Sequence, residues 1–229
     1  MASQILKISL VAQTKPSHSG TLIFMHGSGG TGAMVRESVK MVLGHHLSFP
    51  HIRVLYPTAP LRPYTLSDGS FEHVWFDRPM LKEDAPEHLA TIEPTAREIN
   101  HLIDQEVKLG IDIKRIIIGG FSMGGSMALQ MAYRFRPDIG GVFVLSSFLN
   151  KESKVYETLS GCPDTPRPPL FMCHGQKDDM VPHSWGQNTF QELQKHHIQG
   201  SFHSLPNVSH DISREELTML KNWIVRQVP

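Results

Sequence analysis

The chain has 229 residues, 40% hydrophobic and 19% charged, which suits one compact domain over residues 1–229 with a sizeable core. Lys plus Arg and Asp plus Glu each number 22, and the zero formal charge argues against nucleic acid or polybasic membrane attachment as the main activity. Two cysteines do not support a disulfide framework, and no stretch approaches the roughly 18 apolar residues of a membrane-spanning helix.

The first residues lack a basic segment followed by an apolar one, position 2 is Ala rather than the Gly of a myristoylation site, and the last residues carry no prenylation box. A soluble cytosolic protein is the expectation. A first strand is expected over residues 5–12 and a second over 21–26. The second runs into His26, Gly27, Ser28, Gly29, Gly30, Thr31 and Gly32, a loop whose glycines let a backbone N–H point into a cavity uncovered by a side chain. The alternative is that residues 27–32 form only a flexible connection. A helix over 33–47 and a strand over 52–56 follow.

The segment 61–80 is long for a connection and holds Tyr64, Phe71, Trp75, Phe76 and Met80. Trp75 and Phe76 are candidate linings of a binding groove; the alternative is that they anchor the segment to the core. After a helix over 86–109 and a strand over 115–119 come Gly120, Phe121, Ser122, Met123 and Gly124, and then a helix over 124–136. A serine aimed off a strand into a helix must turn sharply, and Gly119, Gly120, Gly124 and Gly125 leave room for that turn. The stretch has neither the Lys of a phosphate-binding loop nor the spacing of a dinucleotide fingerprint. Ser122 is therefore the candidate nucleophile. The N–H of Met123 then becomes one candidate oxyanion donor, and that of Ser28 the other.

A serine hydroxyl needs a base, and the base needs a third group to orient it. After strands expected over 141–146 and 170–173 the chain reads His174, Gly175, Gln176, Lys177, Asp178, which offers a carboxylate beyond a strand's C-terminal end, with Asp179 as its rival. A helix over 183–197 and a strand over 201–205 lead to His210, ahead of a last helix over 213–227. The chain order Ser122, Asp178, His210 is that of α/β hydrolases. Doublets such as His45 with His46 lack metal-ligand spacing and read as solvated surface histidines. The motifs call for no metal and no cofactor. Alternating apolar strands and amphipathic helices predict an α/β fold with a mostly parallel central sheet covered on both faces.

These residues resemble the acyl-protein thioesterase and lysophospholipase family of small carboxylesterases within the α/β hydrolases. The likeness is carried by residues 22–29, by Tyr56 to Pro60, by Trp75, Phe76 and Asp77, by residues 119–125 and by Cys173, His174 and Gly175. The early loop departs from the family's His-Gly-Leu-Gly-Asp and later Trp: this chain has Ser28 and Gly30, then Met34 and Val35. The resemblance implies a catalytic set of Ser122, Asp178 and His210 that hydrolyses acyl thioesters or esters. The leading substrates are S-palmitoyl proteins at the cytosolic membrane face, which would need only transient membrane contact. The alternatives are a short-chain carboxylesterase or lysophospholipase and, more distantly, a non-catalytic binding module on the same fold.

Overall fold

The computed structural model describes residues 6–229. Its centre is a seven-stranded sheet of order β1-β3-β2-β6-β7-β8-β9, formed by β1 (Lys7–Val11), β2 (Gly20–Met25), β3 (Ile52–Thr58), β6 (Ile116–Phe121), β7 (Gly141–Leu145), β8 (Leu170–Gly175) and β9 (Gly200–Leu205). Only β1 runs antiparallel to its neighbour; every other pairing is parallel. Of the strand expected over 5–12, Ile5 lies outside the described residues, as do Met1 and Ala2.

The inner strands are buried on both faces because crossover helices cover both. Successive side chains alternate between two cores. Ile23, Met25, Ile116 and Ile118 pack beneath α2 (Leu89–Lys108) and α3 (Met123–Gln130). Leu22, Phe24 and Ile117 pack beneath α1 (Gly32–Leu43) and α6 (Arg214–Gln227), against Val39, Leu220 and Trp223. The parallel arrangement puts the C-terminal ends of β2, β6, β8 and β9 on one edge, and the loops after those strands carry Ser28, Ser122, Asp178 and His210.

Element ends differ from the expected ones for local reasons. The helix expected to reach 47 stops at Leu43, because Gly44 takes φ 83° and its N–H caps Lys40 O at 2.8 Å. The helix expected over 124–136 is α3 followed by a π-helical turn, Met131–Phe135. Three elements were not expected. The three-residue strands β4 (Leu61–Pro63) and β5 (Phe71–His73) pair antiparallel within the long segment. The short α4 (Lys154–Gly161) starts at an N-cap, Ser153, whose hydroxyl accepts from Val155 N; α5 (His183–Lys195) then precedes β9.

The turn from β6 into α3 depends on close approach. A Cβ on Gly120 would sit 2.5 Å from Met25 O, and one on Gly124 would collide with Met25 O and lie 2.6 Å from His26 O. Those neighbours are backbone and cannot rotate away. Gly124→Ala is therefore expected to cost about 3 kcal/mol or more by overpacking and to lower Tm by roughly 6 °C or more. A thermal melt within a degree of wild type would contradict this account.

Candidate active site

Ser122 turns between β6 and α3 with φ 53° and ψ −124°, and its N–H is tied to Leu145 O at 2.9 Å. A side chain rarely occupies that conformation, which costs about 1–3 kcal/mol, and here flanking packing holds it. The turn lifts the hydroxyl off the sheet edge. His210, in the loop between β9 and α6, places Nε2 3.0 Å from Ser122 Oγ, and its Nδ1 lies 2.8 Å from Asp178 Oδ2. The face of Phe121 lies against the imidazole, with ring centroids 4.8 Å apart.

Asp178 is buried and saturated with donors. Its Oδ1 accepts from Met180 N at 3.1 Å and Val181 N at 2.7 Å, and its Oδ2 accepts from His210 and from His174 Nε2 at 3.3 Å. Burial opposes its ionisation, but bonds from His174, His210 and the Val181 amide outweigh burial and hold the carboxyl far below the usual carboxylate range. An ionised acid fixed in this way orients Nδ1–H of His210 and leaves Nε2 free to accept the Ser122 proton. Asp179 is exposed one residue further on and is not among the groups bonded to His210.

His174 is a participant that sequence reasoning passed over. It is fully buried, and its Nε2–H is shared between Val181 O at 2.9 Å and Asp178 Oδ2. A Cβ on Gly186 would collide with His174 Nδ1, so α5 clamps the ring from behind. The signal for it was a histidine four positions before the acid, at the end of a fully apolar strand.

The β2 loop abuts the serine: a Cβ on Gly27 would lie 3.3 Å from Ser122 Cβ. Ser28 sits in the turn closed by Gly30 N to Gly27 O at 3.2 Å, and Met123 opens α3. Among the described residues neither the Ser28 nor the Met123 N–H has a hydrogen-bond partner, so both donors are free for a developing oxyanion. Beside them lies a cavity of about 220 Å³, lined by Ser28, Met34, Val35, Phe121 and Ile212 among others.

The segment 61–80 braces this loop. Gly29 N donates to His73 O at 3.1 Å, and Trp75 Nε1 donates to His26 O at 2.8 Å with its ring against the imidazole. Trp75 is fully buried and Phe76 nearly so, both in the core beneath α2 and α3, and neither lines the 220 Å³ cavity. Large apolar rings lose the most surface to water when buried, and both sit in that core.

His26 carries the loop's other end. Its Nδ1–H donates to Gly27 O at 2.6 Å and its Nε2 accepts from Ala59 N at 3.0 Å, which requires the neutral ring. Burial pushes it down to about 4, the bond to Gly27 opposing and His73 adding to the shift. The unfolded chain therefore takes up a proton below about 6.5 that the folded chain refuses until about 4, so stability falls as pH is lowered through that window. The loss approaches about 3 kcal/mol. Glu216, pushed up to about 8 by burial, acts in the opposite sense and cancels when two variants are compared. Urea titrations of wild type and His26→Gln at pH 7 and 4.5 should show the stability of the variant rising relative to that of wild type as the pH is lowered; an unchanged difference between the two would remove His26 from the account.

A model of the phospholipase/carboxylesterase family matches residues 6–227. The chain belongs to the phospholipase/carboxylesterase family. Like that family it is a hydrolase of the α/β-hydrolase fold. Lysophospholipase-like protein 1 of Mus musculus is 50% identical over 212 residues, covering 93% of this chain and 88% of its own. Acyl-protein thioesterase 1 homolog 1 of Dictyostelium discoideum is 32% identical over 232 residues, covering 100% of both chains. The crystal structure of Zea mays acyl-protein thioesterase 2 superposes with a TM-score of 0.84 at 25% identity, over 97% of this chain and 99% of that one. As in sequence, no described helix is long and apolar enough to cross a membrane.

Proposed function

We propose that this carboxylesterase-family hydrolase cleaves acyl thioesters and esters through an acyl-enzyme on Ser122, and that S-acylated proteins at the cytosolic membrane face are its main substrates. The observation that carries the reading is the chain of hydrogen bonds from Ser122 Oγ through His210 to Asp178, beside two unengaged N–H groups. Relatives named as acyl-protein thioesterases support the substrate class. His210 Nε2 takes the Ser122 proton as Oγ attacks the acyl carbonyl, and the N–H groups of Ser28 and Met123 bind the oxyanion. The imidazolium, stabilised by Asp178, returns the proton to the departing thiolate or alkoxide. A water deprotonated by His210 then releases the acid and restores the serine.

A second reading, a short-chain carboxylesterase or lysophospholipase, is favoured by the small cavity beside Ser28 and Phe121. Its volume of about 220 Å³ falls below the roughly 300–1,000 Å³ of sites that enclose larger ligands. Hydrolysis of model thioesters and oxyesters with acyl chains of two to sixteen carbons, with Ser122→Ala as the blank, separates the two. A rate that climbs to the longest chains supports protein S-acyl substrates, since each buried methylene adds about 0.8 kcal/mol. A rate that collapses beyond a few carbons supports the second. Failure of a fluorophosphonate to label folded protein at Ser122 would overturn both and leave a binding module.

A further inference from the structure

Arg78 is a buried cation with no carboxylate partner among the described residues. It is 6% exposed, and its only side-chain hydrogen bond among the described residues is a long one, from Nη2 to Ser126 Oγ at 3.4 Å. Its Nε is buried without a partner. The titratable groups whose charge acts on it, the Tyr64 phenol and Glu87, form no salt bridge with it among the described residues: the Glu87 carboxylate is taken by Gln130, Ser153 and the Lys154 amide. Burial brings the guanidinium down to about 10, which leaves it charged at neutral pH. Its Cζ lies 4.6 Å from the Phe148 ring centroid and 5.2 Å from that of Phe76, so aromatic faces hold it in place. An isolated buried charge is costly, and proteins that retain one commonly use it.

Its position relative to Ser122 gives the charge a use. Ser126 stands one turn along α3 from Ser122, and its N–H bonds to Ser122 O at 3.3 Å. Four residues of helix rise about 6 Å, which sets the spacing of Ser122 and Ser126 along α3. Ser126 Oγ is held by Ser147 Oγ at 2.9 Å and donates to Phe148 O at 2.8 Å, which joins Arg78 to the loop after β7, whose Leu145 carbonyl anchors Ser122. The two sides of the serine differ. His210 packs on Phe121, which belongs with Ile212 to the core beneath α1 and α6. Phe76, which flanks Arg78, belongs to the core beneath α2 and α3. A leaving group must depart toward His210, its proton donor, so the acyl part extends to the opposite side.

We infer that Arg78 is a specificity-determining residue that binds a carboxylate at the far end of a short acyl chain, so that the enzyme accepts acyl groups derived from dicarboxylic acids. The inference rests on the proposed hydrolysis at Ser122 and names the acyl class it favours. The guanidinium supplies the planar, charge-assisted donors that a carboxylate accepts, and the surrounding aromatic rings exclude water from the pair.

The test compares N-acetylcysteamine thioesters of adipic and hexanoic acids, which are matched in length and differ in a terminal carboxylate. Wild type should hydrolyse the adipoyl thioester efficiently. Arg78→Met should lower the adipoyl-to-hexanoyl ratio of kcat/KM about tenfold or more, the scale of one charged hydrogen bond, and Arg78→Lys should restore part of it. Fluorophosphonate labelling and thermal melts of each variant report folding, and Arg78→Gln stands in if the Met variant does not fold. A wild type that cleaves hexanoyl but not adipoyl thioester, or variants that leave the ratio unchanged, would overturn the anion subsite alone. A wild type inactive on both and unlabelled by the fluorophosphonate would overturn the hydrolase reading with it.

Discussion

Ser122→Ala is expected to lower kcat on a model thioester by about four to six powers of ten, because no other described hydroxyl stands 3.0 Å from His210 Nε2. The fold should survive, since Ser122 is half-buried and its N–H bond to Leu145 O is a backbone bond. Ser122→Gly should be equally inactive yet more stable, by about 1 kcal/mol, because glycine adopts φ 53° without strain. Turnover and thermal melts on the same samples separate the two effects. Residual activity within a hundredfold of wild type in either variant would show that the nucleophile lies elsewhere.

Asp178→Asn is the second large effect. The amide matches the carboxylate in shape but presents an NH2 where Oδ2 accepts from both His210 Nδ1 and His174 Nε2. His210 can keep its bond only by moving its proton to Nε2, the tautomer that cannot receive the Ser122 proton, and kcat should fall by about 10³- to 10⁴-fold. His174 is left with two donors face to face in a fully buried site, so stability should also drop, by about 1–3 kcal/mol. Steady-state kinetics together with urea unfolding measure both. A loss of turnover below tenfold would assign the orienting role to another acid.

Much of this was legible from residue order. Strand and helix alternation follows from hydrophobic period, which is local, so seven strands and five of six α-helices were expected near where they lie. The missing α4 has only eight residues, and β4 and β5 have three each; segments that short carry no period to read. The glycines around Ser122 marked the turn because a Cβ at Gly120 or Gly124 meets backbone, a constraint strong enough to show in the residue types themselves.

What the chain determined by itself was the α/β-hydrolase architecture and membership of a hydrolase family, because hydrophobic periodicity, glycine placement and the Ser, Asp, His order are properties of neighbours along the sequence. Only the tertiary structure shows what Asp178 and its rival Asp179 meet, which their identical chemistry does not reveal: one turns inward to four donors and the other faces water. It likewise decided that Trp75 braces the loop after β2 from within the core, that His174 stands behind Asp178, and that Arg78 is buried without a counter-ion among the described residues. Burial and long-range partnership come from packing segments far apart in the chain, and a residue's own neighbours do not encode them.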